Sequence, residues 1–223
     1  MYLDTVRQAT LFRALHLIDV DLAQSCQEAH CVHCNGPLHD GSYKRKPRGG
    51  PPGLPDEVSI RLSLCCGRKC CRKRTLPPSC LFLGRKVYWG AVVLVTVAMR
   101  QRRPGSASAA RLRSLFGVSW ETVKRWMTYF AEVFPKTEVW KRCRGLVCAD
   151  VRDDDLPAGL IELLVRESGN EETGLVHAGC HGLASRDPVC QSVLSNPRMR
   201  TGRATAPPDG GGCSIEVAGG ATV

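Results

Sequence analysis

Two knots of cysteine constrain this 223-residue chain more than any other feature: Cys31-x2-Cys34, and then Cys65, Cys66, Cys70 and Cys71 inside CCGRKCCRKR. The chain has 13 cysteines, an odd number. Its start, MYLDTVRQATLFRALHLIDVDLAQ, lacks the basic segment and unbroken apolar run of an export signal. The thiols are therefore expected to stay reduced in a cytoplasmic setting, where paired cysteines more often hold a metal than form disulfides.

The stretch between the knots reads as a strand pair. EVSIRLSL alternates, with Val58, Ile60, Leu62 and Leu64 on one face, and LHDGSYKR is its expected partner, bending at Asp40-Gly41. KPRGGPPGLPD between them is a Pro/Gly loop. A hairpin with a tight cysteine turn at each end brings the turns together, which is the plan of a zinc ribbon. Tetrahedral zinc needs four soft or borderline ligands, and a small β unit gains from the ion the folding energy that it cannot draw from a core. Cys66 shares strand parity with Leu62 and Leu64, so Cys31, Cys34, Cys66 and Cys71 are the preferred ligands. Cys65 and Cys70 stand as alternates, and His30 and His33 flank the first knot as possible substitutes. The plainer alternative is reduced cysteine acting as a small hydrophobe. A redox pair would need a βαβ setting that the sequence lacks. His177, Cys180, His181 and Cys190 match no trusted ligand spacing, so they read as scattered residues of a poorly ordered region. Cys26, Cys80, Cys143, Cys148 and Cys213 read as non-ligands.

Charge gathers on the same segment. Residues 44 to 74 hold ten Lys or Arg and two acids, in a chain of formal net charge +10. Lys44, Arg45, Lys46 and Arg48 lie on the loop side, and Arg68, Lys69, Arg72, Lys73 and Arg74 on the second knot. Cations beside a cysteine cluster stabilise its thiolates. The excess is suited to phosphate, with counterion release driving the binding of double-stranded DNA. The bland alternative is a solvated face that only confers solubility.

The rest is mainly helical. Residues 1 to 28 place Leu11, Leu15, Ile18 and Leu22 on one stripe. The longest apolar run, Val87 to Met99, has 13 residues. That is short of the ~20 that a membrane span requires, so it reads as a buried helix. After a break at Pro104-Gly105, SAARLRSLFGVSWETVKRWMTYFAEVFP gives two short helices with Gly117 ending the first and Ser119 capping the second. This fits a helix-turn-helix with Leu112, Leu115, Val118, Val123 and Trp126 inward. Trp120, Glu121, Lys124, Arg125 and Thr128 are candidates for the exposed face, and Thr122, Lys124 and Arg125 for DNA contacts in the major groove. Plain packing of a helix hairpin is the alternative. LPAGLIELLVRES is expected to be one more helix, and the last 28 residues, rich in Gly and Pro, to be disordered.

CVHCNGPLHDGSYKRKPRG, RLSLCCGRKCCRKRTLPPSCLFLGRKVY and RLRSLFGVSWETVKRWMTYFAEVFP together resemble the zinc-ribbon plus helix-turn-helix region of bacterial insertion-sequence transposases and related small transposon-encoded proteins. The resemblance covers about residues 29 to 145. It implies DNA binding, often at element ends, with a transposase or recombinase chain as a further partner. Two features depart from the pattern: Cys70 directly precedes Cys71, and the acid Glu121 sits early in the recognition helix. Transposase catalysis of the common kind also needs three carboxylates holding two metal ions. Here Asp150, Asp153, Asp154 and Asp155 crowd into one short segment that reads as a solvated acidic turn.

The expected architecture is small α+β: an N-terminal helix (1–28), a zinc ribbon (29–83), a helix-turn-helix domain (84–145), and an acidic segment with a poorly ordered tail (146–223). The expected function is zinc-dependent DNA binding for a mobile element, cytoplasmic and nucleoid-associated, without catalysis by this chain alone. The alternatives are a transposase whose nuclease domain lies elsewhere, and an adaptor that grips a protein through the ribbon.

Overall fold

The computed structural model describes residues 2–83, 88–102, 109–146 and 151–180. Helix α1 (Ala9–Glu28) buries Leu11, Phe12, Leu15, Ile18 and Leu22, the stripe expected from its spacing with Phe12 added. Short strands follow: β1 (Leu38–Asp40), β2 (Tyr43–Lys44), β3 (Ile60–Arg61), β4 (Leu64–Cys66) and β5 (Arg74–Thr75). They form a three-stranded antiparallel sheet in the order β1-β4-β5 and a two-stranded one, β2-β3. Leu38 stands opposite Cys66 and Asp40 opposite Leu64, while Tyr43 faces Arg61.

LHDGSYKR and the segment ending at Cys66 thus pair as expected, but the single-face alternation does not hold through the whole run. Val58 lies in a 3₁₀ turn, Asp56–Ser59. The ladder breaks at Leu62-Ser63, and Arg61 and Ser63 are buried. The buried Arg61 guanidinium finds the Leu62 carbonyl at 3.0 Å and the Pro77 carbonyl. A buried cation is tolerable only with such partners.

Helix α2 (Gly90–Arg102) is buried at every position from Gly90 to Met99. An all-round apolar helix belongs at the centre of a packed body, and further helices follow it in the chain. These are α3 (Ala109–Phe116), α4 (Trp120–Thr128), α5 (Glu138–Leu146), α6 (Ala158–Ser168) and α7 (Glu171–Gly179). Helix α4 runs on through a π turn, Tyr129–Val133, into a 3₁₀ turn, Phe134–Lys136, so Pro135 falls where the helix was expected to stop. Trp89 sits between Phe12, edge-on at 5.1 Å, and Phe82, stacked at 5.4 Å, tying α1 and the segment after β5 to the start of α2.

One core joins residues of α1, α2, α4, α6 and α7. Leu11, Leu15 and Leu22 of α1 share this core with Val151, Leu156, Leu160 and Leu175. Helix α6 occupies the expected stretch. Helix α7 was not expected: Asn170 caps it through the Thr173 amide at 3.0 Å, and Leu175, Val176 and Ala178 are buried. Gly174 permits its close approach to α6, because a Cβ there would lie 2.5 Å from Val165 Cα. Cys180, read from sequence as part of a poorly ordered region, is fully buried with its Sγ 3.3 Å from that of Cys80. The break at Pro104-Gly105, and the disorder expected at the C-terminus, lie outside the described residues.

Among the described residues no helix is long and apolar enough to cross a membrane.

Candidate metal centre

The sheet β1-β4-β5 has almost no core of its own. Its buried cluster is Cys31, Leu38, Leu64 and Cys66, with Cys26, Cys34 and Cys71 packed against it. Two buried leucines contribute about 1.5–3 kcal/mol each, which is little against the entropy of ordering the two turns and the long loop. Sulfur fills the remaining space.

The thiols of Cys31, Cys34, Cys66 and Cys71 all lie within 4.8 Å of one another. Cys31 Sγ is 3.8 Å from Cys71 Sγ, and Cys34 Sγ is 3.4 Å from Cys66 Sγ. Four sulfurs each ~2.3 Å from one tetrahedral ion stand ~3.8 Å apart, so the cluster is compatible with zinc. These are the four residues preferred from sequence, and no second group of this kind occurs among the described residues.

Two turns of matching design present the sulfurs. In the first, the Cys31 carbonyl accepts the amides of Cys34 and Asn35, at 3.3 and 2.7 Å. In the second, the Arg68 carbonyl accepts the amides of Cys71 and Arg72, at 3.0 and 3.1 Å. Asn35 and Arg72 close the turns in the left-handed region, with φ of 53° and 47°. Cys34 and Cys71 are thus equivalent positions. The position equivalent to Cys31 is Arg68, and the fourth thiol of the cluster comes from Cys66 at the end of β4. That substitution produces the C-x4-C spacing.

Backbone amides converge on the sulfurs. The His33 amide, and next the Cys34 amide, bond Cys31 Sγ and hold its thiol down to about 7. Burial pushes Cys34 up, against a bond from the Gly36 amide. The Lys73 amide pulls Cys71 down, but burial and the neighbouring thiols raise it overall. Amides aimed at sulfur favour the charge that a metal-bound thiolate carries.

The alternates are left out for geometric reasons. Cys65 points from the opposite face of β4 toward Gly41, where a Cβ would come within 2.8 Å of its sulfur. Cys70 is exposed on the second turn. His33 is exposed, and exposed His30 has Nδ1 2.6 Å from the Glu28 carbonyl. His177 has Nδ1 3.3 Å from Ser168 Oγ, while His181 and Cys190 lie outside the described residues.

The basic residues divide into two groups. Lys44 is paired with Asp56 at 2.9 Å, Arg45 lies over the Phe82 ring at 5.0 Å, and Arg74 over Tyr43 at 5.6 Å. Lys46, Arg48, Arg68, Lys69, Arg72 and Lys73 are exposed. The loop carrying Lys46 and Arg48 rests on the α3–α4 turn: a Cβ on Gly49 would be 3.0 Å from the Phe116 carbonyl oxygen.

At that turn Gly117 has φ of 59° and Ser119 accepts the Thr122 amide at 3.3 Å, as expected of these two residues. Leu112, Val118, Val123 and Trp126 are buried and Leu115 half-buried. Thr122 turns its hydroxyl to Ser119 Oγ at 3.0 Å. Glu121 holds Lys124 at 2.8 Å, which keeps its own carboxyl below the usual range. Trp120, a candidate for the exposed face, is half-buried beneath the Arg100 guanidinium at 4.8 Å. Arg125 and Thr128 are exposed. The acids of the 153–155 turn serve as partners: Asp153 accepts from Trp140 Nε1 at 2.7 Å, Asp154 pairs with Arg152, and Asp155 with Arg102. Asp150 lies outside the described residues. The packing roles of α7 and Cys180 were missed from sequence, and the cap signal Asn170 with acids in the next turn was the clue available.

No family model, no curated protein and no solved structure matches this chain.

Proposed function

We propose that this chain is a DNA-binding protein in which a structural zinc ion, held by Cys31, Cys34, Cys66 and Cys71, fixes a ribbon that meets phosphate. The α3–turn–α4 unit then serves as a helix-turn-helix reading base edges. The observation that carries the proposal is the setting of the four-thiol cluster: exposed cations crowd the turn that supplies Cys71, and residues 58 to 149 contain only three acids, Glu121, Glu132 and Glu138. Zinc supplies folding energy here and performs no chemistry; the four protein ligands leave no open coordination position.

The loop carrying Lys46 and Arg48 lies against the α3–α4 turn, so one duplex can touch both basic elements. Glu121 need not repel phosphate, since Lys124 neutralises it. Arg125 then becomes the main candidate for base contact on α4. The resemblance to transposon-encoded proteins favours a site at the end of a mobile element, with a recombinase chain as partner. In this reading the acids of residues 153–155 are structural and the chain does not cleave DNA by itself.

The test is selection of binding sites from random duplex DNA by zinc-loaded full-length protein. The proposal expects an enriched sequence, lost in Cys34→Ser. Absence of enrichment together with absence of any duplex binding contradicts it.

A further inference from the structure

We propose that the second turn, Gly67–Lys73, is a dedicated phosphate-contact tip with Arg72 at its centre. This rests on the DNA-binding reading above and says which cations carry it.

The two turns share one backbone design. Each ends on a residue with positive φ, Asn35 at 53° and Arg72 at 47°. Asn and Gly tolerate that conformation; a long side chain there is uncommon and strained. The first turn has the residue that its backbone favours, and the second does not. A residue kept in a costly conformation points to a role beyond folding.

No local contact offsets that cost. The Arg72 side chain is exposed and makes no hydrogen bond, ion pair or ring contact with any described residue. The same holds for the exposed ammonium groups of Lys69 and Lys73. Arg68, also exposed, lies along Gly36 of the first turn, where a Cβ would come within 2.8 Å of its Cγ. Gly36 therefore clears a place for the Arg68 stem. By contrast, Lys44, Arg45 and Arg74 already have partners. From Leu62 to Leu115 the sequence has no acid at all, so nothing nearby competes for the four cations of the tip.

Four cations within six residues, on a turn with Cys71 inside it and Cys66 just before it, suit a run of closely spaced anions. The phosphodiesters of duplex DNA provide that spacing. Arg72 offers a planar fork that can take two oxygens of one phosphate.

The opposed signs of two effects make the test. Zinc-loaded full-length wild type, Arg72→Asn and Arg13→Ala are compared in zinc content, melting temperature and affinity for a mixed-sequence 20-base-pair duplex over a salt series. Arg72→Asn is expected to keep its zinc and to melt at or above the wild-type temperature. It should bind several-fold more weakly, with the slope of log affinity against log salt shallower by about 0.9. Arg13→Ala, which removes an exposed cation of α1 outside the basic segment, is expected to match the wild type in all three measurements. Arg72→Asn that binds like the wild type, or that loses zinc or melts lower, overturns the inference while leaving the DNA-binding reading in place. A wild type that fails to bind duplex at any salt defeats that reading, and this inference with it.

Discussion

Cys65 and Cys66 are neighbours on β4, and only Cys66 reaches the cluster. Strand parity decides between them: Cys66 shares the face of Leu64, while Cys65 turns to Gly41. That much was legible in the sequence. The choice between Cys70 and Cys71 was not, because spacing alone permits either. It follows from the turn, in which Cys71 occupies the position equivalent to Cys34 and Cys70 is left exposed. Cys34→Ser is therefore expected to abolish stoichiometric zinc, measured by elemental analysis of purified protein. The double variant Cys65→Ser/Cys70→Ser is expected to keep one zinc per chain. A double variant that loses its metal contradicts the ligand assignment.

Among the elements, α2 and α4 announced themselves. A continuous apolar run makes a central helix, and Gly117 and Ser119 bracket the turn before α4. Helix α7 escaped because it packs with small residues, Gly174, Ala178 and Gly179, instead of a broad apolar stripe. The long strand read from EVSIRLSL failed for a different reason: Arg61 and Ser63, the polar positions of the alternation, are buried, and the Leu62 and Pro77 carbonyls that receive Arg61 are not encoded in a pattern of hydropathy. Two substitutions probe the elements. Gly174→Ala forces a methyl against the Val165 backbone and is expected to destabilise the protein by about 1–3 kcal/mol in denaturant unfolding. Removal of the α4 cap in Ser119→Ala is expected to cost about 1 kcal/mol. Neutral outcomes would mean that the α6–α7 crossing or the cap is not as described.

For the whole molecule, Asp19 joins α1 to the segment after β5. Its carboxylate, nearly fully buried, accepts from Ser79 Oγ and from the Cys80 amide at 2.6 Å, with Arg61 the neighbouring cation. Burial, opposed by those bonds and by Arg61, raises it from 3.8 to about 6. Between these values the folded state holds a proton that the unfolded state has released. Stability from this group therefore falls as pH rises from about 4 to about 6, by up to roughly 3 kcal/mol, and is level above that. Asp19→Asn removes the titration. The difference in unfolding free energy, wild type minus Asp19→Asn, is expected to decline across that window, and a flat difference would contradict the burial of a charged carboxylate there.

In the proposed function, the scarcity of apolar side chains around the four thiols makes the β1-β4-β5 sheet depend on metal, and the cations that this sheet orders make DNA binding depend on metal in turn. The most direct measurement is duplex affinity over a salt series, by fluorescence anisotropy, with zinc-loaded and chelator-stripped protein side by side. If about five phosphates are neutralised, log affinity should fall with log salt at a slope near −4.5 for the loaded protein. The stripped protein should bind more weakly and with a shallower slope. A slope near zero for the loaded protein, or identical curves for the two forms, would contradict the account.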